Sequence, residues 1–211
     1  VKKRSLTLPI FIISMLMGIA SLTIAQPSLD EAQLAQALKD NHEALFNDPS
    51  SPRLGAKDAR VVLVSFIDYN CSVCKKFDPQ LEKLIADNPE VAVILKPLAF
   101  RHESSRHAAK VALTAWKLHP GAFALLHQRL MAKNSAHDLN SIDAIQQYSG
   151  IAPPLTPLQE TEDTLEKNEQ LAQRLGVWGT PATLFGETML VGTAPQAALE
   201  AAVKTLLKSA P

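Results

Sequence analysis

The chain has little cysteine. Two residues in 211 exclude a small domain stapled by disulfides. Aromatic residues are scarce at 5%, and neither sign of charge dominates, with 21 bases against 21 acids. The basic field that a phosphate backbone requires is therefore lacking, and nucleic acid is not expected as a partner. A second pair of metal ligands is also missing. Among the six histidines, His42, His102, His107, His119, His127 and His137, only His102 and His107 come near a pair, five positions apart. Each is read as surface or half-buried structure. What remains, with 46% apolar side chains, describes one globular domain with room for an inserted subdomain.

Lys2, Lys3 and Arg4 precede an uncharged run from Ser5 to Ser28 that is apolar between Leu6 and Ala25. That is the layout of a secretory signal, and the small residues around Thr23-Ile24-Ala25 place cleavage after Ala25. The alternative is an uncleaved anchor tethering the protein to the membrane, since Leu6 to Ala25 is just long enough to span a bilayer. Removing residues 1–25 leaves 18 bases against 21 acids. Either way the expected compartment is the periplasm.

Residues 26–50 are expected to form an N-terminal element, with an amphipathic helix over Leu29 to Phe46 closed by Asn47-Asp48-Pro49. Ser50-Ser51-Pro52 and Gly55 then read as a connector. The run Val61-Val62-Leu63-Val64-Ser65-Phe66-Ile67 suits a strand buried on both faces. Asp68-Tyr69-Asn70 ends it, with Asn70 placed to cap a helix that begins at the cysteines. Along that helix Cys74, Phe77, Leu81, Leu84 and Ile85 share one stripe. Val91 to Leu95 is a second buried strand, so a parallel crossover is implied. The pattern is helical over 104–175, an insertion between 51–103 and 176–211. Its fourth helix is expected to start at the capping box Thr156-Pro157-Leu158-Gln159 and to stop at Leu175-Gly176. Ala182 to Phe185 and Thr188 to Val191 read as a hairpin, followed by a helix capped by Thr193 with Gln196.

Cys71 and Cys74 are too close in sequence for their link to restrict much of the unfolded chain. At the start of a helix after a buried strand, however, such a dithiol is chemically asymmetric. Cys71 is expected at the exposed N-terminal turn, where the helix dipole and free N–H groups favour a thiolate. Cys74, on the apolar stripe, is expected to be buried. The first is then the attacking thiolate, and the second resolves the mixed disulfide.

The segment Asp68-Tyr69-Asn70-Cys71-Ser72-Val73-Cys74-Lys75, with Gly179-Thr180-Pro181-Ala182, resembles the exported DsbA-like branch of the thioredoxin superfamily. It is most similar to the suppressor-of-copper-sensitivity C proteins and their oligomeric disulfide isomerase relatives. The likeness extends from about Leu38 to the chain end. It implies an α/β thioredoxin fold with an inserted helical subdomain, a cis Thr180-Pro181 bond, and substrate contact at Thr180 and Pro181. It also implies unfolded or misoxidised exported proteins as clients, a membrane thiol-disulfide partner, and a homo-oligomer, dimer or trimer. One departure is Ser65, where the family commonly places a buried Glu that accepts the proton of the resolving thiol. The pair Ser72-Val73 between the cysteines has no histidine, so no cation beside Cys71 is expected and thiolate stabilisation reads as moderate.

The leading expectation is a periplasmic thiol-disulfide oxidoreductase, working as an isomerase or reductase, with a redox-active Cys71–Cys74 disulfide and no other cofactor. An alternative from a different class uses the same two cysteines to hold Cu(I), a soft ion suited to paired thiolates. A non-catalytic assembly protein on the same scaffold draws support only from Ser65. The N-terminal helix is assigned to self-association because the core reads as complete without it.

Overall fold

The computed structural model describes residues 29–210. The expected signal segment and its cleavage site lie outside them. Strand β2 (Val61–Ile67) is the centre of a five-stranded mixed sheet. Its nearly unbroken apolar sequence is matched by burial on both faces. It pairs in parallel with β3 (Val91–Pro97), Val61 opposite Val91 through Ile67 opposite Pro97. Helix α2 (Ser72–Asp87) makes the crossover between them and runs through Pro79 without a break. On the other side β4 (Ala182–Phe185) lies antiparallel to β2, and β5 (Thr188–Val191) completes the hairpin.

The far edge corrects the sequence reading. The expected connector contains strand β1 (Arg53–Gly55), antiparallel to β3, so the order is β1-β3-β2-β4-β5. Three residues are too few for alternation to register. Gly55 is required there: its φ is +90°, and a Cβ would lie 2.6 Å from the Val91 carbonyl oxygen.

Alternation along β2 and β3 divides the core into two layers. Leu63, Ile67, Val91, Val93 and Leu95 pack against α2, the helical insertion, and Leu199 and Val203 of α7 (Gln196–Ser209). Val64, Phe66 and Ile94 face the opposite way, toward Leu171, Ala172 and Leu175. The insertion comprises α3 (Glu103–Leu118), α4 (Pro120–Ala132), α5 (Leu139–Tyr148) and α6 (Glu160–Arg174). Two of the expected caps are displaced. Helix α6 starts at Glu160 rather than at Thr156, because Leu158 N–H is bonded to Thr114 Oγ1 at 3.0 Å and its carbonyl accepts from Thr161. Helix α7 follows Pro195, and the Gln196 side chain bonds Glu200 instead of reaching back to Thr193. Gly176, at φ +68°, terminates α6 as expected.

The N-terminal segment is interrupted. Helix α1 (Glu31–Asp40) has a capping box from Asp30 and Gln33, ends at Asn41, and gives way to a π-helical turn at Glu43–Asn47. Lys96 of β3, fully buried, supplies a reason for this irregularity. Its ammonium donates to the Ala44 carbonyl and Ser51 Oγ at 2.5 Å, with Asp48 Oδ2 at 3.5 Å. Leu38 and Leu45 are buried in the second core layer. The apolar stripe assigned to self-association therefore docks on its own domain, and that layer is incomplete without it.

Candidate active site

Cys71 and Cys74 are unbridged. Cys71 is itself the N-cap of α2, with its N–H donating to Asp68 O at 3.0 Å. Asn70, expected as the cap, is diverted: its amide donates to Ser104 and Ser105 Oγ and accepts from His137 N–H. It thus fastens the insertion to the cysteine loop. Contrary to the sequence expectation, Cys71 is as buried as Cys74, each 1% exposed.

The asymmetry between the two sulfurs survives this burial. Cys71 is lowered to about 4, chiefly by a hydrogen bond from the Cys74 thiol, against the opposing effect of burial. Thr180 and the N–H groups of Cys74 and Val73 add to the effect. Cys74 moves far up from the ordinary thiol range because donation to Cys71 and burial both favour its protonated form. Stabilisation of the Cys71 thiolate is therefore strong rather than moderate.

Three segments converge on this helix start because the sheet register brings them there. Continuing the β2–β4 register beyond Phe66–Ala182 places Thr180 opposite Asp68. The Thr180-Pro181 bond is cis, as is Ala152-Pro153. Cys71 Sγ lies 3.2 Å from the Thr180 carbonyl oxygen, which accepts when the sulfur is protonated. The Thr180 hydroxyl is buried and without a hydrogen-bond partner. The third segment follows β3, where Leu98 N–H donates to Ile67 O at 2.7 Å. The fully buried Asp68 carboxylate then accepts Asn70 N–H on one oxygen and the N–H groups of Phe100 and Arg101 on the other, at 2.7, 2.9 and 3.0 Å.

This clamp sets the Arg101 guanidinium 4.0 Å from Cys71 Sγ. Sequence reasoning missed that cation because it approaches from 30 residues away in a loop without periodicity. Lys75 was missed as well. Its ammonium donates to the carbonyls of Lys133 and Ser135 at 2.6 and 2.7 Å. Burial brings it down to about 8, while the Cys71 charge acts in the opposite direction.

Two histidines read as surface or half-buried are core residues. His127, fully buried, donates through Nε2 to Asp78 Oδ1 at 2.9 Å and accepts the Tyr69 hydroxyl at Nδ1, 3.1 Å away. Tyr69 is held protonated by its burial. His137 donates through Nε2 to Leu130 O at 2.9 Å, while its Nδ1 has no partner. Ser65 is buried and bonded to Thr183 Oγ1 at 2.8 Å, so β2 offers no proton acceptor at this position. Among the described residues no group of three or more His, Cys, Asp or Glu converges to hold a metal. Cu(I) at this site would have the two sulfurs of Cys71 and Cys74 as ligands, and its binding would displace the Cys74 proton.

A model of the DSBA-like thioredoxin domain matches residues 62–204. The chain belongs to that family. It is 47% identical to the catalytic domain of Proteus mirabilis ScsC, over 82% of this chain and 98% of that one, with a TM-score of 0.80. It is 45% identical to a periplasmic thioredoxin-like protein from Salmonella enterica serovar Typhimurium, covering 87% and 100% of the two chains, with a TM-score of 0.77. Among curated proteins it resembles disulfide bond formation protein D of Bacillus subtilis, 25% identical over 81% of this chain and 84% of that protein. The fold is thus a thioredoxin fold with a helical insertion, and the protein is an enzyme of thiol-disulfide exchange. Among the described residues no helix is long and apolar enough to cross a membrane.

Proposed function

We propose that this enzyme works in the periplasm on exported proteins, with Cys71 as nucleophile, Cys74 as resolving thiol, and Thr180 and Pro181 in contact with the client backbone. The observation that carries the reading is the division of charge at the N-terminus of α2. Cys71 is ionised at neutral pH, and Cys74 keeps its proton. A thiolate this stable favours the reduced enzyme, so the protein is a poor reductant. It remains charged and ready to attack a scrambled disulfide, which suits an isomerase. Direct disulfide donation to clients is the second reading, supported by the same low value at Cys71. Unfolded or misoxidised exported proteins are the clients, and a membrane thiol-disulfide partner resets the pair. A dimer or trimer rests on the resemblance alone.

The test is the reduced protein treated briefly with iodoacetamide from pH 3 to 8. Cys71 should be modified first, with a midpoint near 4. Preferential labelling of Cys74 would overturn the assignment. Cys74→Ser should trap mixed disulfides with clients and Cys71→Ser should trap none. Equilibration with glutathione gives the reduction potential of the pair and separates the two readings: a value near that of strong oxidases supports donation, and a much lower one supports isomerisation or reduction.

A further inference from the structure

Beside the sulfurs lies a cleft of about 360 Å³ lined by Phe100, Arg101, Gln173, Trp178, Gly179 and Thr180. Its aromatic walls are open to solvent, with Phe100 43% and Trp178 49% exposed. Arg101 contributes the only formal charge in that lining. Among the described residues its guanidinium has no carboxylate partner. Asp68, which holds the Arg101 backbone N–H, is fully buried and already accepts three backbone N–H groups. Arg106, five positions on, is by contrast committed to Glu162 and Glu169.

We infer that Arg101 is a catalytic residue with two alternating anionic partners, the Cys71 thiolate in the free reduced enzyme and an acidic side chain next to the client's cysteine in the mixed disulfide. The inference rests on the reading of Cys71 as nucleophile. The exchange balances as follows. Cys71 Sγ⁻ attacks one sulfur of a client disulfide, the client S–S bond breaks, and the second client sulfur leaves as thiolate. The new Cys71–client S–S bond carries no charge, so the guanidinium loses its partner. A client carboxylate at the cleft can then take its place. When a client thiolate attacks its own bridged sulfur, Cys71 leaves as thiolate, reclaims Arg101 and displaces the acid. The aromatic walls suit an apolar neighbour of that acidic residue.

The other charged groups near Cys71 are Lys75, on its own helix, and Asp68, which acts on Lys75 in the same sense as Cys71 does. Neither lines the cleft, so the specificity belongs to Arg101. The test uses two disulfide-bonded peptides that differ only in Glu or Lys beside the cysteine, with wild type and Arg101→Gln, Arg101→Glu and Arg101→Lys. Wild type should exchange with the Glu peptide about tenfold faster than with the Lys peptide. Arg101→Gln should abolish the preference, Arg101→Glu should reverse it, and Arg101→Lys should retain most of it. In the free enzyme Arg101→Gln should also raise the midpoint of thiolate absorbance by about one pH unit. Equal rates in wild type, or a preference unchanged in Arg101→Gln, would overturn the client half of the inference; an unmoved midpoint would overturn the thiolate half. Failure of wild type to exchange with either peptide or with glutathione would instead defeat the functional reading beneath it.

Discussion

The C-terminal ends of β2 and β3 each place one buried charge at a point where distant segments meet, and the two are built oppositely. Asp68, just beyond β2, gathers three backbone N–H groups. Lys96, opposite Phe66 in the sheet register, points to the other face and gathers two oxygens and the Asp48 carboxylate. The difference lies in what neutralises the charge. Lys96 has a counterion, and its clamp is electrostatically closed. Asp68 is hydrogen-bonded by backbone N–H groups, its charge acts on Lys75 ahead of that of Cys71, and the Arg101 guanidinium stands at the Cys71 sulfur. Each clamp fixes geometry, but only the one at the cysteines leaves charge for chemistry.

The comparison is broken most severely by deleting residues 29–48. That removes Leu38 and Leu45 from the second core layer and strips Lys96 of Ala44 and Asp48. Leaving that ammonium uncompensated costs about 3 to 5 kcal/mol, on top of about 2 kcal/mol for each lost leucine. The sum is comparable to the whole stability of a domain, so thermal melts should show no cooperative transition. A folded, active truncation would show that the N-terminal segment is an appendage after all. Asp68→Ala ranks next. It leaves three N–H groups without their acceptor, for an expected loss of about 3 kcal/mol in urea unfolding. It should also displace Arg101 and slow exchange at least tenfold, while Asp68→Asn keeps an acceptor and loses less.

Lys96→Met sharpens the contrast by removing charge without leaving a void. The isolated Asp48 can reach water, since it is only partly buried. Replacement of a buried ion pair by an apolar side chain is often close to neutral, so the expected stability change is below about 2 kcal/mol. Exchange rates should stay within twofold of wild type. A large loss of activity would mean that the two ends communicate.

The sequence showed the strands well because their signal is local. Val61–Ile67, Ala182–Phe185 and Thr188–Val191 are apolar or alternating runs whose bounds coincide with the observed strands. It showed the two cysteines because they are a contiguous motif, whereas the cis Thr180-Pro181 bond was implied by the family resemblance alone. What it did not show is set by tertiary contact. Thr156 and Thr193 carry capping chemistry, yet Thr114 and Glu200 compete for the groups involved. Cys71 sits at a helix N-terminus as expected, but the 180–181 loop and the Arg101 loop cover it, and no helix-local pattern reports such a lid. His127 and His137 look like surface residues until Asp78, Tyr69 and the Leu130 carbonyl satisfy them.

The smallest effect concerns His137, which belongs to the cysteine end. Its loop supplies the two carbonyls that hold Lys75 and the N–H that holds Asn70. Burial first, and then Lys75 and Lys133, bring the ring from 6.5 down to about 4, with the Leu130 carbonyl and Asp138 opposing. Because the folded value is depressed, the folded protein carries a neutral ring between pH 6.5 and 4, whereas the unfolded chain takes up a proton. Stability is therefore unaffected by this group above pH 6.5 and falls as pH drops through that window, by at most about 1.4 kcal/mol per pH unit. Between pH 7 and 6 the change should be well under 1 kcal/mol. His137→Gln keeps a donor for Leu130 and removes the titration, so its urea midpoints should fall less steeply from pH 6.5 to 5. Hydrogen exchange should locate the acid-induced loosening at Asn70 and residues 133–138, with residues 44–51 still protected, since the Lys96 clamp contains no group that titrates in that window in this way. Identical slopes in wild type and His137→Gln, or loosening that begins at residues 44–51, would assign the acid sensitivity to the other clamp.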